Sequence, residues 1–202
     1  VENIFVGNGS DEAIDLMYRV FCEPRISNAI SIAPTYGMYK VAAAINDVEM
    51  REVQLEEDFS LIADKLLAVA DENSRLLWIC SPNNPTANTF PAETIEHIIR
   101  NFAGIVVLDE AYIDFAERPG FLSRLKEFPN LVILQTLSKA WGMAGLRLGL
   151  AFADPLIIAT MSNVKYPYNV NGPTQHTVIE RLGISPAAQI AEIFNERKRI
   201  IF

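Results

Sequence analysis

The chain of 202 residues contains only two cysteines, and its hydrophobic residues never form a long uninterrupted run. Cys22 and Cys80 are too few and too far apart in sequence for a disulfide framework or a zinc site. No apolar stretch approaches the roughly 20 residues that a membrane-spanning helix needs. The first residues do not follow the pattern of a secretory signal peptide. These absences favour a soluble protein, which we expect to be cytoplasmic.

Basic residues are scarce relative to acidic ones. The chain has 17 lysines and arginines against 25 aspartates and glutamates, for a net charge of -8. This excess of negative charge argues against a broad nucleic-acid-binding surface. The glycine motifs of nucleotide-binding loops, G-x-x-x-x-G-K-[ST] and G-x-G-x-x-G, are also absent. Hydrophobic residues make up 50% of the chain, which suits one compact domain with a sizeable core.

Short apolar runs alternate with helical patterns along the chain. Seven runs are typical of strands: IFV, AISIA, EMREVQL, RLLWIC, GIVVLD, LVILQ and LRLGLAFA. Several are apolar throughout, which indicates strands covered on both faces in a largely parallel sheet. The last follows its neighbour without a long helix, so one strand is expected to run antiparallel. The predicted fold class is α/β, a three-layer α/β/α sandwich with a mostly parallel, mixed sheet of about seven strands.

Between these runs, apolar residues recur at helical spacing in 13–21, 62–70 and 95–102. A further amphipathic pattern begins near residue 186 and still runs at Phe202, with no stop signal after it. We therefore interpret residues 1–202 as one domain of a longer protein. A natural domain that ends in a helix is the alternative.

Ligands of open α/β sheets bind at the carboxyl ends of the strands, so the loops that follow the strands deserve a chemical interpretation. In GNGSDEAI, Gly7 and Gly9 permit a tight turn, and Ser10 or Asp11 is predicted to cap the next helix. The free N–H groups at that helix start would suit a phosphate. An ordinary capped helix explains this loop equally well when it is considered alone.

Two further strand ends carry polar side chains. In CSPNNPTA, prolines flank Asn83 and Asn84 and would hold an amide donor in one direction, although such turns are common without function. Asp109 ends an apolar strand, where a carboxylate is costly to bury without a partner, and Tyr112 follows three residues later.

Other polar residues receive a plainer interpretation. Glu110, between Asp109 and Tyr112, and Asp114, two residues after Tyr112, are expected to be second-tier or solvated. The only two histidines, His97 and His176, lie in helical patterns and are interpreted as structural or surface residues, so no metal site is expected.

The stretch QTLSKAWGMAGLRLG places Lys139 directly after an apolar strand and Arg147 eight residues later. Gly142 and Gly145 are predicted to let this loop turn tightly. A lysine amine becomes a useful nucleophile when it forms a Schiff base with a carbonyl. Together with the other loops it offers a partner for each polar group of pyridoxal phosphate: the aldehyde, the ring nitrogen, the phenolic oxygen and the phosphate.

The segments GNGSDEAI, APTYGMY, CSPNNPT, VVLDEAYIDF and TLSKAWGMAGLRLG resemble the fold-type-I aminotransferases, most closely the histidinol-phosphate aminotransferase family. The resemblance covers nearly the whole chain and implies the pyridoxal 5′-phosphate-binding large domain of that fold. It implies that Lys139 is the catalytic lysine that bonds to the cofactor and transfers the proton. It also implies that the cofactor-binding residues are Ser10, Asp11, Tyr36, Asn84, Asp109, Tyr112, Ser138, Lys139 and Arg147.

Within this set the resemblance implies individual roles. Asp109 would partner the pyridine nitrogen, and Asn84 and Tyr112 the phenolic oxygen. Tyr36 would stack on the ring, whereas a core aromatic at a helix start is the interpretation without the other motifs. Ser10, Asp11, Ser138 and Arg147 would hold the phosphate.

The resemblance further implies transamination of L-histidinol phosphate with 2-oxoglutarate in histidine biosynthesis, by a homodimer without nucleic-acid or membrane partners. Aromatic or aspartate-type aminotransferases and threonine-phosphate decarboxylase share the same cofactor residues and remain alternatives. So does a noncatalytic aminotransferase-like effector domain, although no helix-turn-helix region is visible. The resemblance implies that the family's N-terminal arm and small C-terminal domain lie outside this chain, so we expect weak or no activity from this chain alone. Ala87 replaces a glycine that is usual in the family, and only a local difference in the turn is expected.

Overall fold

The computed structural model describes residues 1–201, and Phe202, the last residue of the predicted terminal helix, lies outside them. The described residues form seven strands: β1 (Ile4–Asn8), β2 (Asn28–Ala33), β3 (Glu49–Gln54), β4 (Ser74–Cys80), β5 (Ile105–Asp109), β6 (Leu131–Thr136) and β7 (Leu148–Phe152). They also form seven α-helices: α1 (Gly9–Phe21), α2 (Met38–Ile45), α3 (Ala63–Leu67), α4 (Ala92–Asn101), α5 (Pro155–Val164), α6 (Gly172–Arg181) and α7 (Ala187–Ile201). No helix in this part of the chain is both long and apolar enough to cross a membrane.

The seven strands form one sheet in the order β1-β7-β6-β5-β4-β2-β3. Strands β2 to β6 run parallel to one another, and β7 runs antiparallel to both β6 and β1. This confirms the predicted α/β class, the seven strands and the antiparallel last strand.

Helices cover both faces of the sheet because the central strands are apolar throughout. Along β4, Trp78 belongs to a core with Met17 of α1, whereas Ile79 belongs to a second core with Ile98 of α4. Successive side chains of β4 are therefore buried on opposite faces of the sheet, each against a different layer of helices. The carboxyl ends of β4, β5 and β6 remain at one edge of this sandwich, with Cys80 paired to Asp109 in register.

One predicted helix is shorter than its pattern suggested. The spacing of residues 62–70 predicts a helix over that whole range, but α3 covers only Ala63–Leu67. Ile62 has an extended backbone, and the Val69 carbonyl accepts a hydrogen bond from Arg51 instead of continuing the helix. A turn at 71–74 then leads directly into β4, so the chain has no room for another helical turn.

The predicted cap of the first helix is wrong. Helix α1 begins at Gly9, its N-cap residue is Asn8, and no side chain caps it, so Ser10 and Asp11 lie inside the first turn. Gly9 allows this early start because its φ of 75° takes the chain from strand to helix without a loop. Its N–H donates to the carbonyl of Arg147 at 2.7 Å, which joins the helix start to the segment before β7.

A prediction concerns Ala87, which lies in the loop after β4 with a φ of 61° and an exposed side chain. A residue with a Cβ is strained in this left-handed conformation, and glycine is not. We expect Ala87→Gly to raise the free energy of unfolding by about 0.5–1 kcal/mol, measured by urea denaturation.

Ala116→Gly is the matched control, because Ala116 has an ordinary φ of -81°. There the added freedom of the unfolded chain should lower stability by about 0.5–1 kcal/mol. A loss of stability in Ala87→Gly equal to that of the control would contradict the prediction.

Candidate functional site

One cavity at the carboxyl edge of the sheet brings together all nine side chains that the sequence predicts for the site. It is lined by Ser10, Asp11, Tyr36, Asn84, Asp109, Tyr112, Ser138, Lys139 and Arg147, together with Cys80, Ala111 and Thr136. The strands β4, β5 and β6 end here, and the start of α1 closes the opposite side. The cavity lies where parallel sheets of this kind bind their ligands.

Asp109 is the buried charge of the cavity. Asp109 is 3% exposed, and its Oδ2 accepts a hydrogen bond from the Tyr39 hydroxyl at 2.6 Å. The Ala111 N–H donates to Oδ1 at 3.0 Å. Burial raises the pKa of this carboxyl, and the bonds from Tyr39 and Ala111 and the charge of Lys139 oppose that rise. Tyr39 was not among the residues predicted from the sequence.

Lys139 lies in the turn after β6 and faces Tyr112. Its Nζ is 5.2 Å from the centre of the Tyr112 ring, a distance at which a cation is attracted by the ring face. The Lys139 carbonyl accepts a hydrogen bond from the N–H of Gly142, which has a φ of 64°. Gly145 has no such conformation, and a side chain there would meet no atom within 4 Å. The tight turn therefore depends on Gly142 and not on Gly145.

Arg147 and the start of α1 form the basic end of the cavity. The Nη2 of Arg147 is 3.3 Å from Oδ2 of Asp11, and the Tyr36 hydroxyl donates to Oδ1 of Asp11 at 3.0 Å. Two glycines make this approach possible. A Cβ on Gly9 would lie 2.6 Å from the Arg147 Nη2, and one on Gly149 would lie 2.2 Å from the Ser10 nitrogen.

Tyr36 lines the cavity and also packs against the core. Its ring meets Tyr39 edge-on, with centroids 5.6 Å apart, and packs against the core cluster that includes Trp78. Partial burial, then the charge of Asp11, raises the pKa of Tyr36 to about 12, so its hydroxyl remains a donor at neutral pH. The geometry is consistent both with a cavity wall and with a core aromatic.

The loop after β4 is held by Asn83, which the sequence pointed to only through its motif. This residue is buried, its Oδ1 accepts from Thr35 at 2.7 Å, and its Nδ2 donates to Pro34 at 3.0 Å and to Thr86 at 2.7 Å. These bonds fix the loop to the segment before α2, which carries Tyr36. Asn84 is the neighbour that lines the cavity.

Glu110 is not solvated, contrary to one of the two expectations for it. It is 2% exposed, its Oε1 accepts from the Phe121 N–H at 2.7 Å, and its Oε2 accepts from Gln135 at 3.0 Å. Burial raises the pKa of its carboxyl. A Cβ on Gly120 would lie 2.5 Å from Oε2, so this glycine makes room for the carboxylate. Glu110 therefore fastens the segment after β5 and does not line the cavity.

Asp114, His97 and His176 lie at the surface, one of the positions expected for each from the sequence. Asp114 is exposed, and the side chains of His97 and His176 are 50% and 79% exposed on α4 and α6. Among residues 1–201, no group of three or more histidine, cysteine, aspartate or glutamate side chains has an arrangement suited to a metal ion.

The family model for aminotransferase class I and II matches residues 1–202. The chain is 53% identical over 200 residues to the histidinol-phosphate aminotransferase of Parabacteroides distasonis, a match that covers 98% of this chain and 58% of that protein. It is 56% identical over 181 residues to the same enzyme of Bacteroides thetaiotaomicron, covering 90% and 52%. The chain thus spans about half the length of these curated relatives.

Solved structures show the same fold. The histidinol-phosphate aminotransferase from Sinorhizobium meliloti in complex with pyridoxal-5′-phosphate superposes with a TM-score of 0.89 at 25% identity. The match covers 98% of this chain and 56% of that one.

A prediction follows from the raised pKa of Asp109. The folded protein binds this proton more tightly than the unfolded chain, whose aspartates have a pKa of about 3.9. The contribution of Asp109 to stability is therefore full below that value and is lost as pH rises through the folded pKa. We expect the unfolding free energy of Asp109→Asn, relative to the unsubstituted protein, to increase from about pH 4 towards neutrality.

Asp71→Asn provides a control of opposite sign. Hydrogen bonds from Asn28 and Arg51 lower the pKa of Asp71 to about 2, so its stabilisation is present above about pH 3.9 and is lost as pH falls. The relative stability of this variant should fall with rising pH. Parallel pH dependences of the two variants in denaturant titrations would contradict the assignment for Asp109.

Proposed function

The chain belongs to the class I and II aminotransferases, and we propose that it forms the pyridoxal 5′-phosphate-binding large domain of a transaminase. The observation that carries this proposal is the cavity that brings Lys139 together with Asp109, Asn84, Tyr112 and Arg147. Residues 1–202 would form this domain, with α7 leading towards a smaller domain outside the chain. Coverage of only 58% and 52% of two relatives supports that division.

The residues of the cavity fit this cofactor at both ends. The start of α1 has no side-chain cap, so the N–H groups that follow Gly9 in its first turn can face an anion, and Arg147 adds a guanidinium beside them. A side chain on Gly9 or Gly149 would fill this cradle. At the other end, the buried carboxylate of Asp109 suits a protonated ring nitrogen. The polar groups of the cavity therefore match a dianionic phosphate at one end and a cationic ring at the other.

When bound, pyridoxal 5′-phosphate supplies an electrophilic aldehyde and an electron-withdrawing ring. Lys139 would hold the group through its amine, and its Nζ would accept and return a proton during transfer. Asp109 would keep a proton on the ring nitrogen. Asn84 and Tyr112 would hydrogen-bond the phenolic oxygen, and Tyr36 would pack against the ring.

The phosphate is held by the amides and side chains around the start of α1. We assign this role to Ser10, Asp11, Ser138 and Arg147. For Asp11 the binding group is the backbone N–H, because its carboxylate is anionic and already contacts Tyr36 and Arg147. Ser138 is oriented by Thr136, whose Oγ1 accepts from its N–H at 3.1 Å and lies 3.0 Å from its Oγ.

The proposed substrates are L-histidinol phosphate and 2-oxoglutarate, with imidazole-acetol phosphate and glutamate as products. Two relatives at 53% and 56% identity are named histidinol-phosphate aminotransferase, which supports L-histidinol phosphate over other amino donors. A homodimer is part of the proposal. The edge strand β1 exposes Ile4 and Val6 to 41% and 39%, beside Tyr168 and Ile179 at 94% and 74%, and such an apolar patch suits an interface.

The cofactor assignment predicts one reactive lysine. The chain is incubated with pyridoxal phosphate and reduced with borohydride, and its peptides are analysed by mass spectrometry. We expect the reduced adduct on Lys139 and its loss in Lys139→Ala. Lys165→Ala is the matched control, because Lys165 bonds to Asn169 and to the Tyr166 carbonyl away from the cavity. A stable adduct on another lysine, or none, would refute the assignment.

The substrate assignment predicts a preference that can be measured in the complete protein that contains this chain. We expect kcat/KM for L-histidinol phosphate to exceed that for phenylalanine or aspartate by about 10²-fold or more, measured as glutamate formed from 2-oxoglutarate. The 202-residue chain alone is expected to be weakly active or inactive. A preference for an aromatic amino acid or aspartate, or release of carbon dioxide from threonine phosphate, would instead support another enzyme of the same fold.

A further inference from the structure

We propose that Tyr39 is a positioning residue, whose phenol holds the Asp109 carboxylate in one orientation and supports its negative charge. This inference rests on the proposed function and adds to it a residue that does not line the cavity. Tyr39 acts through Asp109, the group that faces the ligand. Its hydroxyl donates to the Asp109 Oδ2 at 2.6 Å, one of the shorter hydrogen bonds of the buried interior.

The carboxylate is held from both sides. The Tyr39 hydroxyl bonds to Oδ2, and the Ala111 N–H bonds to Oδ1 at 3.0 Å. Because each oxygen has its own fixed donor, rotation of the carboxylate would break two hydrogen bonds in a site that water hardly reaches. Asp109 and Tyr39 are only 3% and 1% exposed, so solvent offers little replacement.

The tyrosine is itself fixed by a stack of three aromatic rings. Tyr39 stacks on Trp78 with centroids 4.8 Å apart and planes 15° apart, and Trp78 stacks on Tyr18 at 5.5 Å and 23°. The Tyr18 hydroxyl donates to the Tyr39 carbonyl at 2.9 Å. The stack fixes the plane of the phenol. The donor to Asp109 is therefore pre-oriented before any ligand binds.

The electrostatics agree with this arrangement. Burial, together with the charge of Asp109, raises the pKa of Tyr39 well above its ordinary value, so the phenol stays protonated and remains a donor. The bond from Tyr39 lowers the pKa of Asp109 against the effect of burial. The other titratable groups that interact with Asp109 are Asp11, Tyr36, Cys80, Glu110 and Lys139.

Comparison of two hydroxyl deletions in the same stack distinguishes positioning from packing. Tyr39→Phe removes the donor to Asp109, whereas Tyr18→Phe removes a hydroxyl that donates to a backbone carbonyl and does not touch Asp109. We expect Tyr39→Phe to weaken binding of pyridoxal phosphate about tenfold or more and Tyr18→Phe to change it less than about twofold. Equal effects of the two variants would mean that Tyr39 acts only by packing.

A double-mutant cycle tests whether the effect passes through Asp109. In an Asp109→Asn background the charge is gone, so Tyr39→Phe should no longer change the affinity for pyridoxal phosphate. An undiminished effect of Tyr39→Phe in that background would overturn the proposal.

A second readout does not depend on the cofactor. In the ligand-free protein, the carboxylate infrared band of Asp109 is identified by its loss in Asp109→Asn and followed during acid titration. We expect protonation at higher pH in Tyr39→Phe than in the unsubstituted protein, and at unchanged pH in Tyr18→Phe. Protonation of Asp109 at the same pH in all three proteins would overturn the proposal.

A conservative variant covers the case in which Tyr39→Phe does not fold. Tyr39→3-fluorotyrosine keeps the ring and the hydroxyl but makes the phenol a stronger donor, so Asp109 should stay ionised to lower pH. An unchanged titration would contradict the proposed role. If pyridoxal phosphate does not bind at Lys139, the proposed function fails, and the infrared titration still decides the role of Tyr39.

Discussion

The burial of one carboxylate at the end of a central strand is the constraint on which the site depends. Asp109 closes β5 between two parallel strands, where water hardly reaches it and an unpartnered charge would be very costly. The surrounding structure meets this cost with the backbone N–H of Ala111 and the phenol of Tyr39. A charge held in this way is available to a cationic partner, because few other groups can neutralise it.

Much of the fold was predictable because its central strands are apolar throughout, a pattern that few other arrangements produce. The nine cavity residues were also predictable as a group, since most lie at or after the carboxyl ends of strands that meet at one edge, and Tyr36 was added by the resemblance alone. Their individual roles remain predictions. The predicted cap of α1 and the predicted length of α3 were wrong because backbone geometry decides both. The early start of α1 depends on the φ of Gly9, and the short α3 depends on a turn required by the next strand.

Two buried polar residues escaped prediction for a related reason. Tyr39 reads as an ordinary core residue of an amphipathic helix, because its three-residue spacing from Tyr36 gives no sign of an acceptor 70 positions away. Glu110 was expected to be second-tier or solvated, and its burial depends on the space that Gly120 leaves and on donors from Phe121 and Gln135. Such contacts join segments that are distant in sequence, so they are visible only after folding.

The ion pair between Asp11 and Arg147 has a consequence for how an anion enters the basic end of the cavity. The guanidinium is already partnered, so a phosphate that bound there would exchange one anion for another and would not neutralise an isolated cation. The arginine is held in position before the exchange, which reduces the ordering that binding requires. In the proposed site, an anion that displaced the Asp11 carboxylate would leave it nearby as a competitor, which would favour ligands with two negative charges over those with one. The ion pair would then make this end of the cavity sensitive to the charge of its ligand.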